Sequence, residues 1–178
     1  YQGCKEAIRT APYERPFSFA TAYGAPPSSG GDGATNADVL AAAASGIGIV
    51  NYRGHGSYTS WGPDWNSAGE EFETDDAHAV AGVAFPAVLS IACYNAALDQ
   101  SGEGLAEAFV KDDGSAVAFL GAARPSWTEP NHDFDRYLFD AMGNEGISDL
   151  GWVVNDAQVE VMAKYGSSSY ATDNLKMY

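Results

Sequence analysis

Cations are scarce in this chain. Nine lysines and arginines stand against 24 aspartates and glutamates, leaving a formal net charge of -15 and a pI near 4.2. A nucleic-acid binder must neutralise a row of phosphates, and so few scattered cations argue against that partner. Long apolar runs are missing too: nothing reads as a membrane span, and no basic start leads into an apolar stretch of the signal-peptide kind. Cysteine is nearly absent, with Cys4 and Cys93 the only two. A disulfide between them would disable a nucleophile, so both thiols are expected to be free. The three histidines, His55, His78 and His132, show no His-x-x-x-His spacing and the cysteines no Cys-x-x-Cys, which disfavours zinc. The first residue is Tyr1, not Met, and the chain is expected to be an internal piece of a longer protein. The acidic excess suits a saline or calcium-rich extracellular setting, which fits a secreted or cell-surface location and leaves room for a structural Ca2+ ion.

What is present alternates. At 178 residues the chain has the size of one domain and can bury a core without staples. Arg15 to Tyr23, carrying Phe17, Phe19 and Ala20, reads as a first strand, followed by a Gly- and Pro-rich loop from Gly24 to Gly33. Thr35 or Asn36 caps a helix with Asp38 in its first turn and Val39, Leu40 and four alanines in its body, and Gly46 is placed to end it in a left-handed conformation. A strand from Ile47 to Tyr52 follows. Thr74 then caps a second helix, with Asp75 and Asp76 at its positive end, running to Gly82, and Ala87 to Ala92 reads as the next strand. A third helix from Glu103 to Lys111 pairs Leu105 with Phe109, the turn Asp112-Asp113-Gly114 stops it, and Ala116 to Leu120 reads as a further parallel strand. Phe134, Leu138, Ala141 and Met142 repeat at helical spacing before Gly143. Leu150, Val153, Val154, Ala157 and Val161 do the same up to Gly166, with Ser148 or Asp149 as the cap. Such an order predicts an α/β fold with a mainly parallel central sheet flanked by helices and joined by right-handed crossovers.

Two of the apolar runs stop at a reactive residue: Gly46-Ile47-Gly48-Ile49-Val50-Asn51-Tyr52-Arg53-Gly54-His55-Gly56, and Pro86-Ala87-Val88-Leu89-Ser90-Ile91-Ala92-Cys93-Tyr94-Asn95. Residues just past the carboxyl ends of parallel strands line the crevice where α/β proteins do chemistry. Taken singly, His55 is a loop residue between two glycines and Cys93 a small core thiol. Together, one crossover apart, they supply a nucleophile and a proton carrier. Glycine at 56 also lets a backbone N–H approach a substrate with no side chain in the way, so the N–H groups of Gly56 and Cys93 are the candidate oxyanion donors. Tyr52, Trp61 and Trp65 flank His55, either shielding it from water or packing its loop. Glu70, Glu71, Glu73, Asp75 and Asp76 form the densest carboxylate group, which reads as a solvated helix start or as oxygen ligands for calcium.

These blocks resemble the caspase, legumain and gingipain group of cysteine peptidases, and Val50-Asn51-Tyr52-Arg53-Gly54-His55-Gly56-Ser57 with Trp61 behind it resembles the gingipain branch. Gly102 to Phe109, Gly114 to Ala122 and Ser126-Trp127 continue the likeness in the family's order, over roughly residues 36 to 178. The family's Gly-Asp-Pro is absent, and no acidic partner orienting the His is identifiable, since in that group it comes from upstream. The resemblance implies a three-layer caspase-like sandwich over 1–178, forming one catalytic domain or subdomain of a larger gingipain-like protein and working with its remaining segments. It implies a cysteine endopeptidase acting on polypeptides through His55, Cys93 and a thioester, with no cofactor needed for the chemistry. Trp127 then walls the pocket for the residue before the scissile bond, and Glu129, Asp133 or Asp135 behind it supplies a negative base for Lys or Arg, with Glu129 and Asp133 the leading candidates. Two other readings share the fold: a sortase-like transpeptidase of the same family and a catalytically silent surface interaction module.

Overall fold

Three apolar runs become the strands of one parallel sheet: β1 (Ile49–Arg53), β4 (Ala87–Ile91) and β5 (Ala118–Gly121), in the order β1-β4-β5. The computed structural model describes residues 1–62, 65–80, 85–111, 115–166, 173–174 and 178. Between β1 and β4 lie β2 (Ser60–Trp61), β3 (Phe72–Glu73) and α3 (Thr74–Ala79), and between β4 and β5 lies α4 (Leu105–Lys111). Ahead of the sheet come α1 (Gln2–Arg9) and α2 (Asn36–Ala44), and after it α5 (Thr128–Gly143) and α6 (Leu150–Tyr165). The expected α/β class with a mainly parallel sheet is therefore the observed one.

The described residues fall into two compact units. In the unit Ala20–Pro125, register places Val50, Val88 and Phe119 in one row across the sheet and Tyr52, Ser90 and Gly121 in the next, all on one face. That face is covered by apolar residues of α2, α3 and α4: Val39, Leu40 and Ala43, Ala77 with Val80 just beyond it, and Leu105, Ala108 and Phe109. A stack of rings runs through this layer, with Tyr52 and Trp61 centroids 4.5 Å apart at 8°, Trp61 and Phe72 4.4 Å apart, and Phe109 5.8 Å beyond Phe72. Truncating a ring in such a column costs about 3–5 kcal/mol, because little can collapse into the void. Leu89 and Ile91 on the sheet's other face are equally buried.

In the other unit, Tyr1–Phe19 with the described residues of 126–177, α5 and α6 pack as an antiparallel-type hairpin of helices supported by α1. Asp149 caps α6 by accepting from the Trp152 N–H at 3.1 Å, and Gly166 closes it at φ 63. Lys5 of α1 pairs with the fully buried Asp135 of α5 at 2.8 Å.

Several boundaries differ from the sequence expectation. Arg15 to Tyr23 is not a strand. Phe17 and Phe19 instead rest on Phe139 of α5, at centroid distances of 5.3 and 6.1 Å, so contact with a helix meets the apolar demand that a strand was expected to meet. Helix α3 is capped by Glu73 rather than Thr74, the Glu73 N–H being bound by Asp76 Oδ2 at 2.9 Å, and its last helical residue is Ala79. The expected stop at Gly82 and the turn Asp112-Asp113-Gly114 lie outside the described residues, as does the stretch 175–177. No helix among the described residues is long and apolar enough to cross a membrane.

Candidate active site

His55 follows β1 by two residues and Cys93 follows β4 by two, and because β1 and β4 are hydrogen-bonded parallel neighbours, both lie at the same carboxyl edge. The loops touch. A Cβ built on Gly56 would sit 2.6 Å from the Cys93 carbonyl oxygen, 2.8 Å from Asn95 Oδ1 and 2.9 Å from Ala92 Cβ, so only glycine allows this approach. His55 is exposed and Cys93 half-buried, which leaves both open to a polypeptide.

The His55 loop is rigid by hydrogen bonding. Its carbonyl accepts from the Gly62 N–H at 2.9 Å and from the Tyr52 hydroxyl at 2.8 Å. Gly56 bridges Trp61 in antiparallel fashion, and the Ser57 N–H donates to the Ser60 carbonyl at 2.9 Å, so residues 55–62 fold back on themselves. Gly62 is needed as well, since a Cβ there would meet His55 Cβ at 2.8 Å. Trp61, only 2% exposed, packs this loop into the core rather than shielding the reacting groups. Farther along, the Tyr58 carbonyl accepts from the Leu105 N–H at 2.9 Å, tying the loop to the start of α4.

The Cys93 loop is braced from the other side. Tyr94 N–H reaches the Arg124 carbonyl at 3.3 Å and Ala96 N–H the Ala122 carbonyl at 3.1 Å, both just past β5. Arg124 itself forks onto Asp99 at 2.9 and 2.6 Å, and its hydrogen bonds hold the Asp99 carboxyl below its ordinary range. Tyr94 adopts φ 60, a left-handed conformation that a non-glycine residue takes only where surroundings impose it. The chain thus turns sharply directly after the thiol.

A buried polar side chain joins the two loops, and sequence reasoning gave it no role. Asn95 is 1% exposed. Its Nδ2 donates to the Ser57 carbonyl at 2.6 Å and to the Ser60 carbonyl at 2.8 Å. Its Oδ1 accepts from Ser90 Oγ at 2.7 Å, and Ser90 Oγ accepts from Trp61 Nε1 at 3.0 Å. The available signal was an amide two residues after the candidate nucleophile.

The remaining sequence candidates lie on or beside α5, in the other compact unit. Trp127 precedes α5 and is 47% exposed; its N–H donates to Asn174 Oδ1 at 2.6 Å. Glu129 is exposed in the first turn. Asp133 Oδ2 accepts from Lys164 Nζ and from the Tyr165 hydroxyl, both at 2.6 Å. Burial raises its carboxyl, but those hydrogen bonds and the charges of Lys164 and Arg136 outweigh that and hold it below its ordinary value. Asp135 is the partner of Lys5. Cys4 Sγ lies 3.7 Å from the His132 carbonyl oxygen, and neither cysteine is in a disulfide.

The carboxylate cluster is engaged internally. Glu70 Oε2 accepts from the Asn36 N–H at 3.0 Å and Asn66 Nδ2 at 2.7 Å, Glu71 Oε2 from Ser60 Oγ at 2.9 Å, and Asp76 Oδ2 from Asn36 Nδ2 at 3.0 Å. Among the described residues no three His, Cys, Asp or Glu side chains gather into a metal-holding group.

Residues 4–178 match the sequence profile of Peptidase family C25. Comparison with curated proteins finds no match. Among solved structures, the Arg-specific cysteine proteinase gingipain R (RgpB) superposes with a TM-score of 0.68 at 21% identity, over 81% of this chain and 34% of that one. The complex of the Porphyromonas gingivalis RgpB pro- and mature domains gives 0.62 at 19% identity, over 80% and 34%. A third solved structure, of a protease, gives 0.53 at 16% identity, over 70% and 31%. The chain has the gingipain fold and spans about a third of the length of these solved relatives.

Proposed function

The chain belongs to Peptidase family C25, and on that premise we propose that it carries the catalytic centre of a cysteine endopeptidase. One observation bears most of the weight: Gly56, next to His55, is packed on the backbone at Cys93, within 2.6 Å of its carbonyl oxygen for a notional Cβ. In the proposed mechanism the Cys93 thiol gives its proton to the His55 imidazole, and the sulfur attacks the scissile carbonyl carbon. The N–H groups of Gly56 and Cys93 stabilise the oxyanion, each such donor supplying about 3 kcal/mol of transition-state stabilisation. As the C–N bond breaks, His55 passes its proton to the leaving amine and a thioester remains on Cys93. His55 then takes a proton from water, whose oxygen attacks the thioester, and the carboxylate product and free thiol form. No cofactor takes part.

We place the substrate's Arg or Lys before the scissile bond, with Trp127 and Glu129 as recognition residues. The support is the acidity of the chain, the exposure of both side chains, and the Arg specificity of the solved relative gingipain R. Asp133 is the second candidate acid, already matched by Lys164 and Tyr165. Because the chain spans 34% of gingipain R, the proposal includes further segments of a larger protein as partners and a secreted or cell-surface location.

The test is cleavage of a peptide library followed by mass spectrometry. Hydrolysis adds one water across the products, whereas transfer to an added amine gives a carbonyl fragment that differs from the free acid by the mass of that amine less one water. Cys93→Ala is expected to abolish turnover, with circular dichroism and Tm near the parent because the truncated side chain is small. Undiminished turnover in that variant removes Cys93 as nucleophile. Acidic or small residues outranking Arg and Lys would remove the specificity assignment alone.

A further inference from the structure

We propose that Asn95 is the positioning residue that sets the His55 loop against Cys93, an inference that rests on the cysteine-peptidase reading above. Its amide is saturated. Both Nδ2 protons are used on the Ser57 and Ser60 carbonyls, at 2.6 and 2.8 Å, and these residues sit either side of the turn that returns to His55. Oδ1 is used by Ser90, at 2.7 Å. The amide's orientation follows from donor and acceptor chemistry. The indole N–H of Trp61 can only donate, so Ser90 Oγ accepts it, which turns the Ser90 proton toward Asn95 and requires an acceptor there. Two carbonyls on the other side require the NH2 group.

No other side chain of similar size does this. Aspartate would direct an ionised carboxylate at two carbonyl oxygens. Leucine would take the amide donor from both carbonyls, leaving the Ser60 carbonyl only the Ser57 N–H, and would remove the acceptor of the Ser90 hydroxyl proton. Being 1% exposed, the site offers no water as a substitute. The network runs from β4, through Ser90 and Asn95, to the turn following His55, while Asn95 is itself two residues beyond Cys93. It therefore fixes the loop of the proton carrier relative to the nucleophile's own chain segment. Gly56, whose notional Cβ would sit 2.8 Å from Asn95 Oδ1, closes the same contact through space.

The experiment uses the full chain with Cys4→Ala as background and compares the parent with Asn95→Asp, Asn95→Leu and Ser90→Ala. Two readouts are taken: kcat and KM for a cleaved peptide, and the pH dependence of Cys93 alkylation by iodoacetamide. Displacement of a catalytic group by about 1 Å costs on the order of 100-fold in rate. Asn95→Asp is expected to lose kcat on that order near neutral pH with KM changed little, and to shift the alkylation profile to higher pH as the thiolate loses His55. Lowering the pH should return part of the loss in Asn95→Asp, because a protonated carboxyl regains one donor, and none of it in Asn95→Leu. Ser90→Ala should show a smaller loss of the same kind.

Alkylation profiles unchanged from the parent in folded Asn95→Asp and Ser90→Ala overturn the proposal, whatever peptide cleavage does. Equal loss in Asn95→Asp and Asn95→Leu at every pH also overturns it, since that is the signature of general destabilisation. Full turnover in Cys93→Ala removes Cys93 as the nucleophile, and with it the cysteine-peptidase reading, while the alkylation profiles still judge the positioning role.

Discussion

Glycine 56 shows how a residue without a side chain can decide the geometry of a site. Its closest neighbour is a backbone oxygen of the Cys93 loop, which cannot swing away as a flexible side chain would. Gly56→Ala therefore forces the His55 and Cys93 loops apart. Overpacking of this kind costs about 1–3 kcal/mol, a drop in Tm of roughly 3–10 °C for a chain of this size, and kcat/KM should fall on the order of 100-fold. Gly48, where an added Cβ meets nothing within 4 Å, is the internal control. Gly48→Ala should leave activity intact and raise Tm slightly, since it restricts the unfolded chain without a native clash. Thermal melts and peptide kinetics on the two variants read this out, and equal behaviour would show that the close approach has no bearing on activity. Placing His55 and Cys93 together was legible in the sequence because each ends an apolar run and one crossover separates them. Asn95 was not, because its role depends on carbonyls far along the chain, which no local pattern announces.

At the scale of elements, periodicity carried the longer pieces. Helices α5 and α6 repeat apolar residues at helical spacing over 16 residues each, and β1 and β4 are apolar runs bounded by Gly or Pro. Short pieces escaped. Strands β2 and β3 have two residues each, too few to show an alternation, and α1 buries only Ile8, so its sequence carries little apolar signal. The segment after residue 15 was misread because Phe17 and Phe19 alternate like a strand while packing on α5. The α5–α6 pairing carries a pH prediction. Asp133 is held below its ordinary value by Lys164, Tyr165 and Arg136 despite the burial that opposes it. With the folded-state value depressed, the carboxylate stabilises the native state above the unfolded value near pH 4. That contribution is lost as pH falls through the lower folded value. Asp133→Asn should reduce Tm at neutral pH and flatten the acid limb of the Tm-against-pH curve below about pH 4. A variant curve parallel to the parent's throughout would show that the Lys164 contact adds no pH-dependent stability.

Across the whole molecule the dominant fact is charge. At -15 over 178 residues, the surface repels acidic polypeptides and draws cationic ones at long range, and this acts on encounter rather than on the bond-breaking step. The consequence is separable from the chemistry at Cys93. For a peptide with Arg before the scissile bond and further cations flanking it, kcat/KM should fall about 3- to 10-fold as monovalent salt rises from about 20 to 500 mM, over which the Debye length shrinks from roughly 20 Å to about 4 Å. A peptide with the same Arg but no net charge should change much less, and kcat for both should hold steady because groups in contact are screened little. Initial rates over a salt series with the two peptides give the comparison directly. If kcat falls along with kcat/KM for both, salt is acting on the fold or the site, and the acidic surface is not steering substrate. If the charged peptide alone loses kcat/KM, the charge imbalance serves substrate capture and acts apart from the bond-breaking step.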